Sequence, residues 1–425
     1  MIEQLKHKDQ LAPLIEKTEE KIAPVLKRID KIVETNQYRV LKSFQKHQVS
    51  DSHFTPSTGY GYGDIGRDTL DEIYADCFGG EAALVRPNMI SGTHAIATAL
   101  YGVLRPGDEL LYITDSPYDT LEEVIGIRGE KGNGSLKDFG VSYDVVPLTE
   151  EGKPDYPKIA EMIKENTKVI GIQRSKGYSS RPSFTIQEIK EMVDFVKEIK
   201  KDVIVFVDNC YGEFVETFEP CHVGVDLMAG SLIKNPGGGI ARTGGYIVGR
   251  KDLVEACAYR LTAPGLGSEA GASLDTLLEM YQGFFLAPHV VGQAVKGAVF
   301  AAALLEEIGL DTNPSWDDVR TDIIQAVEFH DKERMIAFCE AIQHASPVNS
   351  HFTPIPSEMP GYEDDVIMAA GTFIQGASIE LSADGPIRPP YTVYIQGGLT
   401  YEHVKIAICT AIDLLLEKNL IQLPE

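Results

Sequence analysis

The sequence predicts an α/β fold, in which helices sandwich a mostly parallel β-sheet, followed by a smaller C-terminal α+β domain. Between about residues 80 and 250, short runs that are apolar on both faces alternate with helical stretches, as in parallel sheets covered on both sides. After Pro288 the pattern changes to long helices with a few strand-like segments. The 425 residues are enough for two or three domains. We place a helical arm at 1–54, the main α/β domain at 55–290 and the C-terminal domain at 291–425.

Each element of the main domain has its own signal. Residues 1 to about 50 carry apolar side chains three or four positions apart, which predicts an amphipathic helix. A capping box of Thr185 and Glu188 predicts a helix that continues through Ile199. The expected strands are Ala83–Val85, Glu109–Ile113, Val145–Leu148, Val169–Ile172, Val203–Val207 and Gly245–Val248.

The C-terminal domain is predicted from a second pattern. An Ala-rich helix is expected at Val290–Ile308, and further helices near Asp322–His344 and Glu402–Glu417. Strand-like segments lie near Ser378–Leu381 and Tyr391–Ile395. This mixture indicates a smaller α+β unit.

Composition excludes several kinds of partner. The formal net charge of −24 would repel phosphate backbones and anionic membranes, so neither a nucleic acid nor a membrane is an expected partner. The six cysteines show no C-x-x-C spacing and are expected to be reduced thiols. Residues Met1–Lys6 lack the apolar core of a signal peptide, and the apolar run Ala298–Leu305 is too short to span a bilayer. We therefore expect a cytoplasmic protein.

Two charged residues suggest the chemistry. Asp208 closes the apolar strand, and Lys234 follows 26 residues later between Ser231 and the run Gly237–Gly239. A carboxylate that keeps a pyridine nitrogen protonated, together with a lysine that forms a Schiff base, is what a pyridoxal 5'-phosphate site needs. Either residue alone is more often an ordinary loop residue. Together they predict this cofactor.

The phosphate and the ring need partners of their own. Ser91, Gly92 and Thr93 open an Ala-rich helix, where backbone amides and the helix dipole attract an anion, although such a motif alone is more often a plain N-cap by Ser91. Ser231 can add a hydroxyl to the phosphate or serve a turn. Tyr118 follows a strand and can stack on the pyridine face or lie in a surface turn.

Two rival motifs are rejected. Gly61-x-Gly63-x-x-Gly66 has the dinucleotide-binding spacing, but no strand precedes it. Ser231-x-x-Lys234 with Arg242-Thr243-Gly244 imitates penicillin-recognising hydrolases, yet only eight residues separate Lys234 from Arg242.

Taken together, these residues resemble the fold-type I pyridoxal phosphate enzymes, specifically the Cys/Met-metabolism group. Within that group the chain is similar to the bacterial aluminium-resistance or methionine gamma-lyase-like branch, with Gln173–Tyr178 and Arg181–Ser183 in support. The resemblance makes Lys234 the Schiff-base lysine, Asp208 the partner of the ring nitrogen and Tyr118 the stacking residue. The resemblance also implies that Gly92, Thr93 and Ser231 bind the phosphate, together with Tyr62 of a neighbouring subunit.

The resemblance also implies a function and an assembly. The expected activity is β- or γ-elimination at a carbon–sulfur bond of an L-amino acid such as cystathionine or methionine, in a homodimer or homotetramer with shared active sites. An aminotransferase, an aldolase or a cofactor-binding protein without turnover are the alternatives.

The chain departs from the family's pattern at two arginine positions. Asp64 stands where an arginine that binds the phosphate is usual, so Arg67 or another arginine has to replace it. The C-terminal strand Tyr391–Tyr394 lacks the arginine that binds the substrate carboxylate, which leaves Arg388 as the nearest candidate.

Overall fold

The computed structural model describes residues 2–359 and 364–423. The chain divides into two compact units, one of Asn36–Phe285 and one of Met1–Thr35 together with Leu286–Glu425. The boundaries predicted after residues 54 and 290 stay predictions about domains.

Helices and strands alternate through the first two thirds of the chain. In chain order they are α1 (Lys8–Lys46), α2 (Ile65–Phe78), β1 (Ala82–Arg86), α3 (Gly92–Val103), β2 (Glu109–Tyr112), α4 (Asp119–Ile125), β3 (Ser142–Val145), α5 (Tyr156–Met162), β4 (Thr167–Gln173), α6 (Ile186–Ile199), β5 (Ile204–Asp208), β6 (Leu227–Ser231), β7 (Gly245–Gly249) and α7 (Lys251–Leu261). The rest of the chain forms α8 (Leu277–Glu307), β8 (Asp311–Asn313), β9 (Ile324–Glu328), α9 (Lys332–His344), β10 (Val366–Ala369), β11 (Ser382–Pro386), β12 (Thr392–Gln396) and α10 (Tyr401–Glu417).

The unit 36–285 is built on a seven-stranded sheet in the order β1-β7-β6-β5-β4-β2-β3. The strands from β6 to β3 pair in parallel, whereas β7 runs antiparallel to both of its neighbours, β1 and β6. The predicted fold class, a mostly parallel sheet with helices and a smaller second unit, is confirmed.

Helices cover both faces of this sheet. Ile247 in β7 belongs to the apolar cluster that the sheet forms with α3 and α7. The ring of the adjacent Tyr246 lies against Tyr74 and Phe78 of α2, with centroid distances of 5.8 and 5.4 Å. Because neighbouring residues of a strand point to opposite faces, α2 covers the face opposite to α3 and α7. Burial on both faces explains why these strands are continuous apolar runs.

The other unit contains a five-stranded antiparallel sheet in the order β10-β11-β12-β9-β8. Its β9 was wrongly predicted as part of a helix near Asp322–His344. Ile324–Glu328 form a strand, and the helix begins only at Lys332, capped by Asp331, whose carboxylate accepts from the amide of Arg334 at 2.9 Å.

Several predicted strand boundaries are also corrected. The strand expected at Val145–Leu148 ends at Val145, and the segment expected at Ser378–Leu381 lies just before β11. The strand β6 was missed, since Leu-Met-Ala-Gly-Ser contains no β-branched residue and includes a glycine. By contrast, the capping box of Thr185 and Glu188 and the helix through Ile199 are confirmed.

One helix, α8, is long and apolar enough to cross a membrane, and 72 % of its most apolar stretch is buried inside the protein. It extends from Leu277, earlier than the predicted start at Val290, and runs through Pro288. Its burial is that of a core helix.

Candidate active site

Two residues of the predicted site, Asp208 and Ser231, lie at the carboxyl ends of adjacent parallel strands. Asp208 is the last residue of β5 and pairs in register with Gln173, the last residue of β4. Ser231 ends the neighbouring β6. Side chains at these positions share one edge of the sheet, which is where ligands of open α/β sheets bind.

Asp208 is a buried carboxylate, 5 % exposed, with a local hydrogen-bond donor. Its Oδ1 accepts from the backbone amide of Cys210 at 3.1 Å. Burial raises the pKa of Asp208, while the positive charge of Lys234 and the Cys210 amide act against that rise. A carboxylate in this setting is stabilised by a cation placed beside it.

Lys234 supplies that cation. It follows β6, immediately before the 3₁₀ turn Asn235–Gly237, and its Nζ lies 4.1 Å from the centroid of the Tyr211 ring. Burial lowers the pKa of Lys234, but the acidic groups around it, Asp208 among them, outweigh burial and raise it. The amine is therefore an ammonium in the protein without cofactor.

Tyr118 is bound on two sides. Its hydroxyl donates to Thr93 Oγ1 at 2.9 Å, and its backbone amide donates to Gln173 Oε1 at 2.7 Å. Burial and then the charge of Asp208 raise the pKa of Tyr118, so the phenol keeps its proton at neutral pH. Tyr118 is thus held at the end of β4 by its bond to Gln173, next to Asp208 at the end of β5.

The N-terminus of α3 closes this group of residues. Ser91 caps the helix, since its Oγ accepts from the His94 amide at 3.1 Å. A Cβ on Gly92 would lie 3.3 Å from both Cys210 Sγ and Ser231 Cβ, so the first turn of the helix closely approaches the ends of β5 and β6. The first amides of a helix have no acceptor within it, so the amides of Gly92 and Thr93, beside the ends of β5 and β6, are available to an anion.

These residues fit pyridoxal phosphate. Helix amides at Gly92 and Thr93 suit the phosphate, the buried carboxylate of Asp208 suits a protonated pyridine nitrogen, and the Lys234 amine suits the aldehyde. A Cβ at Gly92 would make tight contacts with the side chains at the ends of β5 and β6, so glycine suits a position where a backbone closely approaches an anion.

Tyr62 and Arg388 are both exposed side chains. Tyr62 is 62 % exposed and stacks on Tyr60, with a centroid distance of 5.4 Å. Arg388 belongs to the other compact unit, where its Nη1 is 3.3 Å from the Asp364 carboxylate.

Asp64 and Arg67, where the chain departs from the family's arginine pattern, make hydrogen bonds that support the loop carrying Tyr62. Asp64 caps α2, accepting from the amide of Arg67 at 2.9 Å. The buried guanidinium of Arg67 donates to the carbonyls of Gly61 and Gly271 at 2.8 and 2.9 Å. Both therefore hold the loop that carries Tyr62.

Three residues of this site were not given a role from the sequence: Gln173, Tyr211 and Asn235. Gln173 ends a predicted strand beside Asp208, and that position is a usable signal. The other two depend on the turn after β5, which no local pattern reveals.

The chain matches the family model described as methionine gamma-lyase over residues 11–416. It is 68 % identical over 421 residues to an uncharacterized protein of Bacillus subtilis, covering 99 % of this chain and 100 % of that protein.

Solved structures agree with this assignment. A candidate cystathionine beta-lyase involved in aluminum resistance from Listeria monocytogenes is 64 % identical, with a TM-score of 0.94 and coverage of 95 % and 99 % of the two chains. A carbon-sulfur lyase involved in aluminum resistance from Clostridium novyi is 50 % identical, with a TM-score of 0.92 and coverage of 95 % and 96 %. A structure from Campylobacter jejuni that carries pyridoxyl-lysine phosphate shares only the fold, at 18 % identity, a TM-score of 0.55 and coverage of 83 % and 88 %. The chain therefore belongs to the methionine gamma-lyase family, whose cofactor is pyridoxal 5'-phosphate.

Proposed function

We propose that this protein is a carbon–sulfur lyase that cleaves a sulfur-containing L-amino acid such as cystathionine or methionine. The observation that carries the proposal is the placement of the two residues: the buried Asp208 ends β5, and Lys234 follows the adjacent strand β6, both at the ligand-binding edge of the sheet. Membership of the methionine gamma-lyase family and the names of its solved relatives support it.

Bound pyridoxal phosphate supplies an electron sink next to the α-carbon of the substrate. Asp208 would hold the proton at the pyridine nitrogen, and the Gly92 and Thr93 amides, with Ser231 and Ser91 beside them, would hold the phosphate. Lys234 is the base that takes the α-proton once its amine is free.

Tyr118 is placed to protonate the leaving sulfur. It keeps its own proton at neutral pH, and its hydroxyl has an alternative partner in Thr93, 2.9 Å away. The carbon–sulfur bond breaks, the sulfur leaves as a thiol, and water releases a keto acid and ammonia. Arg388 remains our candidate for the substrate carboxylate.

We also propose a cytoplasmic homodimer or homotetramer in which Tyr62 reaches the phosphate of a neighbouring subunit. The exposure of Tyr60 and Tyr62, 71 % and 62 %, supports a contact at this loop. Leu274, whose amide donates to Ser57 of the same loop at 3.1 Å, adds a further exposed apolar side chain.

The test is the visible absorption band of lysine-bound cofactor in purified protein. We expect the band in the wild type and in Lys201→Ala, which changes an exposed lysine, and its loss in Lys234→Ala. A wild type with no band after added cofactor would refute the proposal.

Substrate cleavage is tested separately. A cofactor-loaded sample should release keto acid and free thiol from cystathionine or methionine. Transfer of the amino group to an added keto acid would identify an aminotransferase instead, and no product from an amino-acid panel would identify a protein without turnover.

A further inference from the structure

The turn that follows Asp208 has an unusual backbone. Tyr211 and Phe214 have φ angles of +72° and +63°, in the left-handed region. That conformation is unfavourable for a residue with a Cβ atom, so surrounding contacts have to maintain it. The turn therefore places the Tyr211 side chain where a relaxed backbone would not.

A fully buried amide maintains this conformation. Asn235 Nδ2 donates to the carbonyl oxygens of Tyr211 and Glu213 at 3.0 and 2.9 Å. From the other side, the carboxylate of Glu219 accepts from the amide of Phe214 at 2.7 Å. Asn235 directly follows Lys234, so these bonds join the peptide that carries the lysine to the turn that carries Tyr211.

The result is an aromatic ring beneath the reactive amine. Lys234 Nζ is 4.1 Å from the centroid of Tyr211, within the range of a cation–π contact. A ring face attracts an ammonium through its quadrupole and has little attraction for a neutral amine. The contact consequently favours one protonation state of the lysine.

We propose that Tyr211 and Asn235 are positioning residues for the Lys234 amine: the Tyr211 ring holds the ammonium form, and the Asn235 amide holds Tyr211 in its left-handed turn. In the reaction, the ring would receive Lys234 each time its amine is released with the α-proton. The mechanistic part rests on the proposed function, whereas the contact itself belongs to the protein without cofactor.

Other groups also act on this amine. Asp208, Cys210 and Glu213 face it from β5 and the turn that follows, and Tyr118 faces it from the start of α4. The test therefore compares variants that change only the ring or its support.

The first readout is the titration of Lys234 itself. Full-length, cofactor-free protein is reductively ¹³C-methylated, and the Lys234 signal, assigned by its loss in Lys234→Ala, is followed by NMR against pH. We expect Tyr211→Leu to lower the pKa by about one unit, and Tyr211→Phe, which keeps the ring, to leave it near the wild-type value. Leucine and phenylalanine both carry a Cβ atom, as tyrosine does, so the left-handed φ angle at residue 211 is similarly unfavourable in both variants.

The matched control is Tyr38→Leu, which removes an exposed contact of the same kind, Lys42 Nζ at 5.4 Å from the ring centroid. It should leave the Lys234 titration unchanged. Asn235→Ala should shift that titration in the same direction as Tyr211→Leu. If Asn235→Ala does not fold, the Tyr211 pair alone decides.

The second readout is the pH midpoint of the visible band in loaded protein, which should move in Tyr211→Leu and stay in Tyr211→Phe. A folded Tyr211→Leu protein with wild-type titration and band midpoint would overturn the inference while leaving the proposed function intact. Absence of the band in the wild type, with a shifted Lys234 titration, would refute the proposed function and leave the contact standing.

Discussion

Glu213 is a buried carboxyl behind the active-site turn. Its Oε1 accepts from the Tyr246 hydroxyl at 2.7 Å, and its Oε2 has no hydrogen-bond partner among the described residues. Burial raises the pKa of Glu213 to about 8. At neutral pH this side chain is therefore a neutral carboxylic acid.

We predict that Glu213→Gln removes part of the pH dependence of stability. The folded pKa lies above the ordinary value of 4.5, so the folded state binds more protons than the unfolded state between pH 4.5 and about 8. Stability from this group is present at low pH and falls as the pH rises, by at most about 1.4 kcal/mol per pH unit.

Thermal unfolding midpoints from pH 5 to 9 measure this effect. The Gln variant should gain on the wild type as the pH rises, whereas Glu151→Gln, at an exposed position, should follow the wild type. Parallel curves for Glu213→Gln and the wild type would contradict the assignment.

At the scale of single residues, sequence reasoning identified groups whose chemistry is local. Asp208, Thr93 and Tyr118 could be placed near the sheet edge from the sequence, because a strand end or a helix start already indicates where a residue lies, and their roles toward the cofactor stay predictions. Tyr211 was not predicted, because its place depends on a left-handed φ angle and on an amide 24 residues later in the chain. No local pattern encodes that long-range bond.

Among the elements, α8 contacts the loop that carries Lys234. A Cβ on Gly283 of this helix would overlap with the carbonyl oxygen of Gly237, three residues after Lys234. Backbone cannot swing aside as a flexible side chain can, so the helix approaches this loop only because residue 283 is glycine.

We predict that Gly283→Ala destabilises the protein and weakens cofactor binding. Alanine improves helix propensity by about 1 kcal/mol, but forcing a methyl group into a packed site typically costs about 1–3 kcal/mol and here shifts the lysine loop. Unfolding midpoints and cofactor titration of the visible band measure both effects. The adjacent, exposed Gln282→Ala is the control, and equal behaviour of the two variants would count against the contact.

Helices and strands could be predicted where the spacing of apolar residues fits only one of the two. The helix α6 was predicted from its capping box and amphipathic spacing, and the parallel strands from their apolar runs. The segment near Asp322–His344 was misread, because Ile324–Glu328 and the following helix are both apolar and only the Asp331 cap separates them. The antiparallel direction of β7 depends on strand order in the sheet, which no single segment determines.

For the whole molecule, the main question is whether active sites are shared between copies of the chain. The proposal gives each site a Lys234 from one subunit and a Tyr62 from another. Two inactive variants, Lys234→Ala and Tyr62→Ala, can therefore complement each other.

We predict that an equal mixture of the two variants, after subunit exchange, recovers about a quarter of wild-type activity. Half of the random dimers are mixed, and each mixed dimer has one site with both native residues. Mixing Lys234→Ala with wild type that has been heat-inactivated is the control. No recovery despite proven exchange would place Tyr62 outside a shared site.

The six cysteines form no disulfide, and all except Cys221 are buried. Burial raises the pKa of Cys77 and Cys257 to about 12, so a thiol reagent finds almost no thiolate until the surrounding structure opens. Cys210 and Cys257 lie in the unit 36–285, whereas Cys339 and Cys409 lie in the other.

Alkylation followed site by site with mass spectrometry would therefore time the opening of each unit separately, without any introduced label. We expect added pyridoxal phosphate to slow the labelling of Cys210, beside the lysine, far more than that of Cys339. Equal slowing at both thiols would indicate that the two units open together. The alkylation rates of the native cysteines thus report how often the structure around each of them opens.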